Sequence, residues 1–411
     1  MRSATQLMGG TSGVRGLAIV NTIYLDNNAT TQPLPEVVAA MLEGLQTFWG
    51  NPSSIHRPGN EAKQRVELAR EQVGHLVGAA PRDVIFTSGG TEGANLAIIG
   101  SLAVQRGRNM IITSKLEHSA VRELAQQLAA RGTEVIWLPN SRDGVVDAAA
   151  LSDLLRTRAK DVALVSVMAA NNETGVIQPW REIGQCCRDH GVRFHCDATQ
   201  WAGRMPMDLA KEPIDLLSFA PHKFHGPKGV GALVVRQGVR IAPFVVGGSQ
   251  ERKRRGGTEN VPSIMGFGVA AAAARTWISD ARNPAAVARL RDRLEQLLLA
   301  GAPDAIVNGA SVPRIWNTTN IGVPRLEAEA MLLLLSERGV AASAGSACSS
   351  GSLEASPILR AMDLAPDLAH GSVRFSLSRF TTDEEVTEGA RIILECAARL
   401  RVSSAALIGK R

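Results

Sequence analysis

The chain has 411 residues, of which 45% are hydrophobic and 20% are charged, and its formal net charge is +6 at pH 7. This length exceeds one typical hydrophobic core and indicates two domains with packed interiors. Aromatic residues make up only 4% of the chain, and the only dense basic run is Arg252–Arg255. A nucleic-acid-binding protein needs a basic face with stacking aromatic side chains, so the composition argues against that class.

The cysteines are odd in number, and their spacing matches neither a metal site nor a disulfide framework. They are Cys186, Cys187, Cys196, Cys348 and Cys396. This usage favours a reduced, intracellular compartment and predicts a cytoplasmic protein. No stretch reads as long and apolar enough to span a membrane, so no membrane association is expected.

The chain begins with Met1–Thr22, which has two arginines and no acidic residue. It is predicted to be an irregular extension, with a weak transit peptide as the alternative. A loop over Tyr24–Pro35 leads into a predicted helix over Glu36–Phe48. Turn-forming residues predict a long functional loop over Gly50–Asn60, and helical spacing follows over Val66–Val77.

From Asp83 onward, short apolar runs alternate with amphipathic, helix-period segments. The runs are Val84–Phe86, Met110–Thr113, Glu134–Leu138, Val162–Met168, Val192–Cys196, Ile214–Phe219 and Val230–Val235. Apolar strands with helical crossovers predict an α/β fold whose seven-stranded, mostly parallel sheet has helices on both faces. The last two runs have only a short connection, which predicts an antiparallel pair. Ligands are expected at the carboxyl ends of such strands.

The pattern changes after about Asp280, where a smaller α+β domain is predicted. Its elements are a helix at Val287–Leu299, a strand near Ile315–Ile321, a helix at Glu327–Arg338, a strand at Ser372–Ser378 and a helix from Thr382. The predicted division is residues 1–33 for the extension and a segment joining the small domain, 34–280 for the large domain and 281–411 for the small one.

Lys223 follows one of the buried runs, in the stretch Ser218–Val235. An amine held there loses hydration, so its pKa can fall and it can act as a nucleophile, with a solvated loop lysine as the alternative. Asp197 ends the preceding run, where it is either a structural cap or the partner of a protonated ring nitrogen. An aspartate beneath a pyridinium and a lysine that forms a Schiff base are the residues used by pyridoxal phosphate.

Three further polar groups follow predicted strands. Thr87–Asn95 opens a helix with small residues, which suits either a phosphate or merely a tight turn. His118 lies beside a helix start and is either a cap or a functional side chain. Asn171–Gly175 supplies amides after another strand, with a simple turn as the alternative. All of them fall on the carboxyl side of the same predicted sheet.

Cys348 differs from the other cysteines because glycine and serine surround it in Ala344–Ser352. A thiol in an accessible loop suits a nucleophile, although a tolerated surface cysteine has the same pattern. The other four cysteines lie on predicted helices or a strand and are interpreted as packing residues. Arg374, on a predicted strand, suits either a substrate carboxylate or a surface ion pair.

Ten segments then match one family in order. They are YLDNNATT, GNPSSIH, FTSGGTEGAN, EHSAV, ANNETG, HCDATQ, HKFHGPKG, RRGGTEN, GSACSSGSLE and SVRFSLSRFTT. Over about Tyr24–Leu400 the chain resembles a cysteine desulfurase of the class V aminotransferase superfamily, in the branch of the NifS and IscS types and closest to NifS. This implies the pyridoxal-phosphate-transferase (aspartate aminotransferase-like) fold.

The resemblance implies that the enzyme converts L-cysteine to L-alanine and that Cys348 accepts the sulfur as a persulfide. Arg374 would bind the substrate carboxylate with help from Asn171. The expected partners are a second copy of the chain and an iron–sulfur scaffold protein, in assembly related to nitrogenase. No intrinsic metal is implied, although the persulfide sulfur on Cys348 would contact iron–sulfur during transfer.

The resemblance also implies which residues hold pyridoxal 5′-phosphate. Lys223 would bond to it covalently, and His118 would stack on the ring and move protons. Asp197 would pair with the ring nitrogen, while Gln200 and Asn171 would contact the ring oxygen and the substrate side.

At the phosphate, the resemblance implies contacts from Gly90, Thr91 and His222, with Thr258 reaching it from the partner subunit. Ala220 stands where many relatives have a phosphate-binding serine, so one hydroxyl contact is absent.

Other functions share parts of this pattern. A selenocysteine lyase or a small-amino-acid aminotransferase would use the same scaffold, but an aminotransferase has no use for Cys348. A catalytically inactive docking protein would have no need of Lys223, Asp197 and His118.

Overall fold

The computed structural model describes residues 22–344 and 355–408 of the chain. Its strands are β1 Ile23–Tyr24, β2 Val84–Thr87, β3 Met110–Ser114, β4 Glu134–Leu138, β5 Val162–Ser166, β6 Phe194–Asp197, β7 Leu216–Phe219, β8 Gly231–Val235, β9 Ile306–Val307, β10 Thr318–Gly322, β11 Val340–Ala341 and β12 Ser372–Ser376.

The helices include all of those predicted from the sequence. They are α1 Pro35–Gln46, α2 Arg57–Val77, α3 Gly90–Val104, α4 Ser119–Ala130, α5 Ala148–Arg158, α6 Trp180–Asp189, α7 Gln250–Lys253, α8 Val261–Ser279, α9 Arg282–Gly301, α10 Ala328–Glu337, α11 Pro357–Ala361, α12 Pro366–His370 and α13 Asp383–Ile408. The single turn α7 contains Glu251 and Arg252 at positive φ.

The central sheet has seven strands in the order β2-β8-β7-β6-β5-β3-β4. The predicted antiparallel pair of β7 and β8 is confirmed, since the connection from Phe219 to Gly231 has no room for a crossover helix. Strand β8 is also antiparallel to β2, which the sequence pattern did not indicate. Strand β2 therefore runs in the same direction as β3 to β7, and the carboxyl ends of all these strands share one edge.

Alternate residues of the strands pack on opposite faces of this sheet. On one face, Ile85, Ile111 and Leu164 join a core with helices α3 and α4. On the other face, Phe86 and Ile112 join a larger core that includes α1, α2, α5, α6 and α8. Strands buried on both sides explain the continuous apolar runs, and the prediction of helices on both faces is confirmed.

A second sheet of three strands, β12-β10-β9, is antiparallel and packs against α9, α10 and α13. Leu25 belongs to this core, and β1 pairs in parallel with β11. The segment that follows the N-terminal extension thus joins the smaller sheet region. Its next residues, Asp26 to Thr31, run towards the carboxyl edge of the large sheet.

The prediction that no stretch is long and apolar enough for a membrane was wrong on length and composition. Helix α8, Val261–Ser279, has 19 residues and a mean hydropathy of 1.2, which suffices on those two criteria. Within the described residues, however, 61% of this stretch is buried, and α8 packs against α1 and α2. Its apolar composition therefore fits a helix packed in the core on one face of the central sheet.

Candidate active site

A cavity of about 690 Å³ opens at the carboxyl edge of the central sheet. Its size is in the usual range for sites that bind small molecules and cofactors. Most of the site residues predicted from the sequence line it: Gly90, Thr91, His118, Asp197, Gln200, His222, Lys223 and Arg374. Most of these residues, far apart in the chain, meet here because the strands that precede them end at the same edge, whereas Arg374 comes from β12 of the smaller sheet.

Lys223 ends a single 3₁₀ turn, Pro221–Lys223, directly after β7. Its Nζ donates hydrogen bonds to the carbonyl oxygens of Asn28 at 2.6 Å and Ala29 at 2.9 Å. Burial, followed by the positive charges of Arg204 and Arg374, lowers the pKa of the Lys223 amine to about 7. Near neutral pH, much of the amine is therefore uncharged and can act as a nucleophile.

Asp197 is the last residue of β6 and is 7% exposed. Its Oδ1 accepts a hydrogen bond from the Thr199 backbone N–H at 2.9 Å. Asp197 therefore acts as the structural cap that the sequence suggested as one alternative. Its side chain also lines the cavity. One carboxylate thus stabilises the turn after β6 and presents negative charge to a bound group.

His118 is the N-cap of α4, where its Nδ1 accepts from the Ala120 backbone N–H at 3.1 Å. A neutral ring that accepts through Nδ1 carries its proton on Nε2. Burial lowers the pKa of this imidazole, which favours that neutral form. The cap and the functional reading are compatible, because the same side chain lines the cavity.

The N-terminus of α3 forms another wall of the cavity through Gly90 and Thr91. Backbone N–H groups and the helix dipole at such an end favour a bound anion. Glu92 in the same turn is paired with Arg255 at 2.9 Å, so its carboxylate is compensated. Burial lowers the pKa of His222 to about 3, and Ala220 also lines the cavity without offering a hydroxyl.

The structure does not bring Asn171 to the cavity. Its amide is 1% exposed and is used within the turn: Nδ2 donates to the Leu116 carbonyl at 2.9 Å, and Oδ1 accepts from Glu173 N–H at 2.8 Å and Thr174 N–H at 3.0 Å. Asn172 lines the cavity instead, and its Oδ1 has no hydrogen-bond partner among the described residues. The contacts predicted for Asn171 therefore fit Asn172.

Replacing these two asparagines should have different effects. We expect Asn172→Ala to raise the KM for substrate about tenfold with little change in melting temperature, because one ligand contact is lost. Asn171→Ala should lower the free energy of unfolding by about 2–3 kcal/mol, because several buried hydrogen bonds are lost. Steady-state kinetics and thermal unfolding of both variants measure this contrast. If the two variants had the same KM and the same melting temperature, the different roles assigned to Asn171 and Asn172 would be contradicted.

Arg374 lies on β12 and is 3% exposed, so a surface ion pair is ruled out. Its guanidinium donates to Asp26 Oδ1 at 2.7 Å and to the Asn172 carbonyl at 3.0 Å. Its Nε is buried without a partner in the described part of the chain. The side chain lines the cavity with its position fixed, as recognition of a carboxylate requires.

Two predicted residues lie elsewhere. Thr258 lines a separate pocket of about 200 Å³ with Arg255 and Glu259, and not the main cavity. Cys348 lies outside the described residues. The described residues on either side of that gap adjoin the site, since Ser343 pairs with Arg374 through backbone hydrogen bonds and Ala355 lines the cavity.

The described cysteines are as interpreted from the sequence. Cys186 and Cys187 lie on α6, Cys196 on β6 and Cys396 on α13. Burial raises the pKa of each of these thiols, so none of the four favours the reactive thiolate form.

Four residues were missed by the sequence analysis. Asn28, Arg204, Glu117 and Glu173 all lie at or directly behind the cavity wall. Burial raises the pKa of both glutamates, which favours their protonated forms. Glu117 precedes His118, Glu173 lies within Asn171–Gly175 and Asn28 lies in the segment YLDNNATT, so proximity to the predicted residues was the available signal. Arg204 had no such signal.

The family model described as aminotransferase class V matches residues 23–388. The chain belongs to the class V aminotransferase family. Cysteine desulfurase 2 of Trichormus variabilis is 48% identical over 385 residues, covering 94% of this chain and 95% of the relative. Cysteine desulfurase NifS of Azotobacter vinelandii is 46% identical, covering 92% and 93%. The resemblance inferred from the ten sequence segments is confirmed.

Solved structures agree with these relatives. The structure of a NifS-like protein superposes with a TM-score of 0.84 at 34% identity and covers 92% of this chain and 100% of the other. The structure of SspA in complex with cysteine has a TM-score of 0.75 at 30% identity and covers 87% and 99%. The predicted class V aminotransferase fold is thereby confirmed, and so is the prediction that the chain is an enzyme.

Proposed function

We propose that this protein is a pyridoxal-phosphate-dependent cysteine desulfurase that converts L-cysteine to L-alanine and transfers the sulfur to Cys348. The observation that carries the proposal is the cavity shared by Lys223, with its lowered pKa, and Asp197. Relatives that cover nearly the whole chain at up to 48% identity are cysteine desulfurases. The fold alone would leave the substrate open, because one fold serves many reactions.

The described residues fit pyridoxal phosphate. Lys223 supplies an uncharged amine, Asp197 a carboxylate for a protonated ring nitrogen, and the N-terminus of α3 a place for the phosphate. Gln200 and His118 line the same cavity. A cationic ring over Asp197 would also stabilise the negative charge of that buried carboxylate.

When bound, pyridoxal phosphate supplies an electron sink for the substrate carbanion. Lys223 Nζ would then accept the proton that leaves the substrate α-carbon, for which a pKa near 7 is suited. Arg374 and Asn172 would hold the substrate carboxylate and so orient the side-chain sulfur. His118, protonated at Nε2 in its neutral form, would provide a proton within the cavity.

Cys348 would carry the sulfur transfer. Its thiolate forms a bond to the substrate sulfur while the carbon–sulfur bond breaks, and the electron pair of the broken bond remains with the carbon. That carbon gains a proton and leaves in L-alanine, while Cys348 keeps the added sulfur as a persulfide. L-Cysteine and a thiol are thus converted to L-alanine and a persulfide with no external oxidant or reductant.

Incubation of the purified chain with L-cysteine tests this function when alanine and sulfide are both measured. With a thiol reductant present, we expect equal amounts of alanine and sulfide, and an added iron–sulfur scaffold protein should take sulfur in place of sulfide release. Pyruvate or keto acid formation in place of alanine would indicate a different reaction. A much faster reaction with L-selenocysteine would favour a selenocysteine lyase, and no visible cofactor band would favour an inactive docking protein.

We also propose a homodimer. Helix α1 exposes an apolar stripe at Val38, Leu42 and Leu45, which continues to Trp49 just beyond it; Leu45 is 63% and Trp49 72% exposed. A continuous apolar face of this kind indicates an interface. We propose that a second copy of the chain packs against this apolar face. Thr258 supports this proposal, since it lies outside its own chain's cavity and would contact the phosphate of the partner's cofactor.

The dimer is tested by light scattering of the Leu42→Glu, Leu45→Glu double variant. We expect wild-type protein to have the mass of two chains and the variant to shift to one, because two charges would have to be buried. Leu333→Glu is the matched control, since Leu333 is also a strongly exposed leucine, at 69%, but lies on α10 in the small sheet region. A wild-type monomer would contradict the proposal.

The sulfur acceptor is proposed from the same relatives. An iron–sulfur scaffold, in assembly related to nitrogenase, is supported by the NifS name of one relative.

A cytoplasmic location is supported by the cysteine usage and by the free state of the four described cysteines. Fractionation of cells that express the tagged chain would measure the location directly.

A further inference from the structure

Arg204 is a buried arginine beside Lys223. It is 3% exposed, and its guanidinium makes four hydrogen bonds. Nη1 donates to Asn28 Oδ1 at 2.9 Å and to Gln200 Oε1, while Nη2 donates to the carbonyl oxygens of Asn27 at 2.9 Å and Lys223 at 3.0 Å. All four acceptors are neutral.

No carboxylate pairs with Arg204 among the described residues. Arg70, which is equally buried at 3%, differs because two of its nitrogens bind Glu251, at 2.7 and 2.9 Å. A buried charge without a counter-charge destabilises the folded state, so a neutral side chain of the same shape would suit the fold alone better. Burial and then Arg374 lower the pKa of Arg204 to about 9, which leaves it positively charged at pH 7.

The guanidinium holds Lys223 from two sides. It binds the Lys223 carbonyl directly, and it fixes Asn27 and Asn28, whose turn provides an acceptor for the Lys223 amine at 2.6 Å. It also fixes Gln200, whose amide donates to the same Asn28 carbonyl at 3.1 Å. The backbone and the amine of Lys223 are thus both held by groups that Arg204 orients.

The charge of Arg204 acts in the same direction as burial. The charged and titratable groups that face Lys223 are Arg204 and Arg374, which disfavour a protonated amine, and Asp197 and Asp26, which favour it. His118 and His222 also line this cavity, but burial lowers the pKa of both rings, so they are neutral near pH 7. After burial, Arg204 contributes most to lowering the pKa of Lys223.

We propose that Arg204 is a positioning residue: its hydrogen bonds to the Lys223 carbonyl and to the Asn27–Asn28 turn fix the Lys223 amine in the direction of the cavity, and its positive charge disfavours protonation of that amine. This inference rests on the proposed function, because only an uncharged Lys223 amine can react with a pyridoxal aldehyde. It also accounts for an unpaired charge in the interior: the charge acts on Lys223, although its burial costs the fold stability.

Competitive acetylation of Lys223 in the full chain, freed of cofactor and read by mass spectrometry across pH, tests the proposal. In the wild type we expect a labelling midpoint near pH 7. Arg204→Gln should raise the midpoint by about one pH unit, because one nearby positive charge is lost. Since a lysine is uncharged only above its pKa, labelling at pH 7 should then fall about fivefold.

Arg204→Lys separates charge from geometry. Lysine keeps the charge but cannot make the forked contacts of a guanidinium, so the midpoint should stay near that of the wild type while the capture of added pyridoxal phosphate slows. Arg236→Met is the matched control, since Arg236 also donates to backbone carbonyls of the large domain, at Ile214, Leu209 and Glu212. Its midpoint should not change.

An unchanged labelling midpoint in Arg204→Gln would overturn the proposal. So would a shift in Arg204→Lys as large as that in Arg204→Gln. A wild-type midpoint near the ordinary lysine value of about 10.4 would also overturn it. If Arg204→Gln does not fold, Arg204→Met serves as the second neutral variant. The labelling needs no cofactor, so it tests Arg204 even if the proposed function fails. A folded chain that never acquires a visible cofactor band would count against the function alone.

Discussion

Lys223→Ala is expected to abolish alanine formation from L-cysteine, with a loss of about 10³-fold or more. The substitution removes the only described lysine of the cavity and with it the proposed covalent hold on the cofactor and the acceptor of the substrate α-proton. The visible absorbance of the purified enzyme should also disappear or shift, because no amine remains to bond to the pyridoxal aldehyde. Absorbance scans and alanine assays of the same preparation measure both effects.

Lys228→Ala is the matched control for this experiment. Lys228 is five residues further along the same loop, is exposed and does not line the cavity. We expect its absorbance and its rate to equal those of the wild type. A Lys223→Ala enzyme that retains both the band and the rate would refute the assigned role.

Cys348→Ala is expected to keep the cofactor band but to lose about 10³-fold in sulfur transfer. The proposed lysine, carboxylate and histidine contacts to the cofactor do not involve this thiol, so cofactor binding should be preserved. Without a nucleophile for the substrate sulfur, the carbon–sulfur bond cannot be broken by persulfide formation. Mass spectrometry after incubation with L-cysteine should show 32 Da added to the wild-type peptide (about one sulfur atom) and nothing on the variant.

Cys186→Ala provides the control for the loss of a thiol. Cys186 is only partly buried, but burial still raises the pKa of its thiol, so it is not the expected nucleophile. Its variant should transfer sulfur at the wild-type rate. A persulfide on Cys186, or undiminished transfer by Cys348→Ala, would remove Cys348 from the mechanism.

Much of the site was predictable because parallel strands bring their carboxyl ends to one edge. Apolar runs located β3, β6 and β7, so the polar residues at or after their ends, His118, Asp197 and Lys223, were expected along the same edge of the sheet. Their dual roles were not predictable. Both His118 and Asp197 stabilise local turns and also face the cavity, whereas the sequence patterns left these roles as alternatives.

The choice between Asn171 and Asn172 shows where sequence patterns lose resolution. Both follow β5 and both are asparagines, so residue type and position do not separate them. The turn decides, because it directs the amide of Asn171 to the backbone of Glu173 and Thr174 and leaves Asn172 at the cavity. A change of one residue along an irregular turn changes the direction of the side chain.

The sequence by itself determined the family, the order of the strands along the chain and the residue types that meet at the sheet edge, since these follow from periodicity and from motifs of adjacent residues. Only the tertiary structure decided that β8 lies between β2 and β7 and that Arg204 holds Lys223. Arg204 contacts Asn28 across 176 positions of sequence. Contacts of that kind depend on how separate segments pack, and no local pattern encodes them.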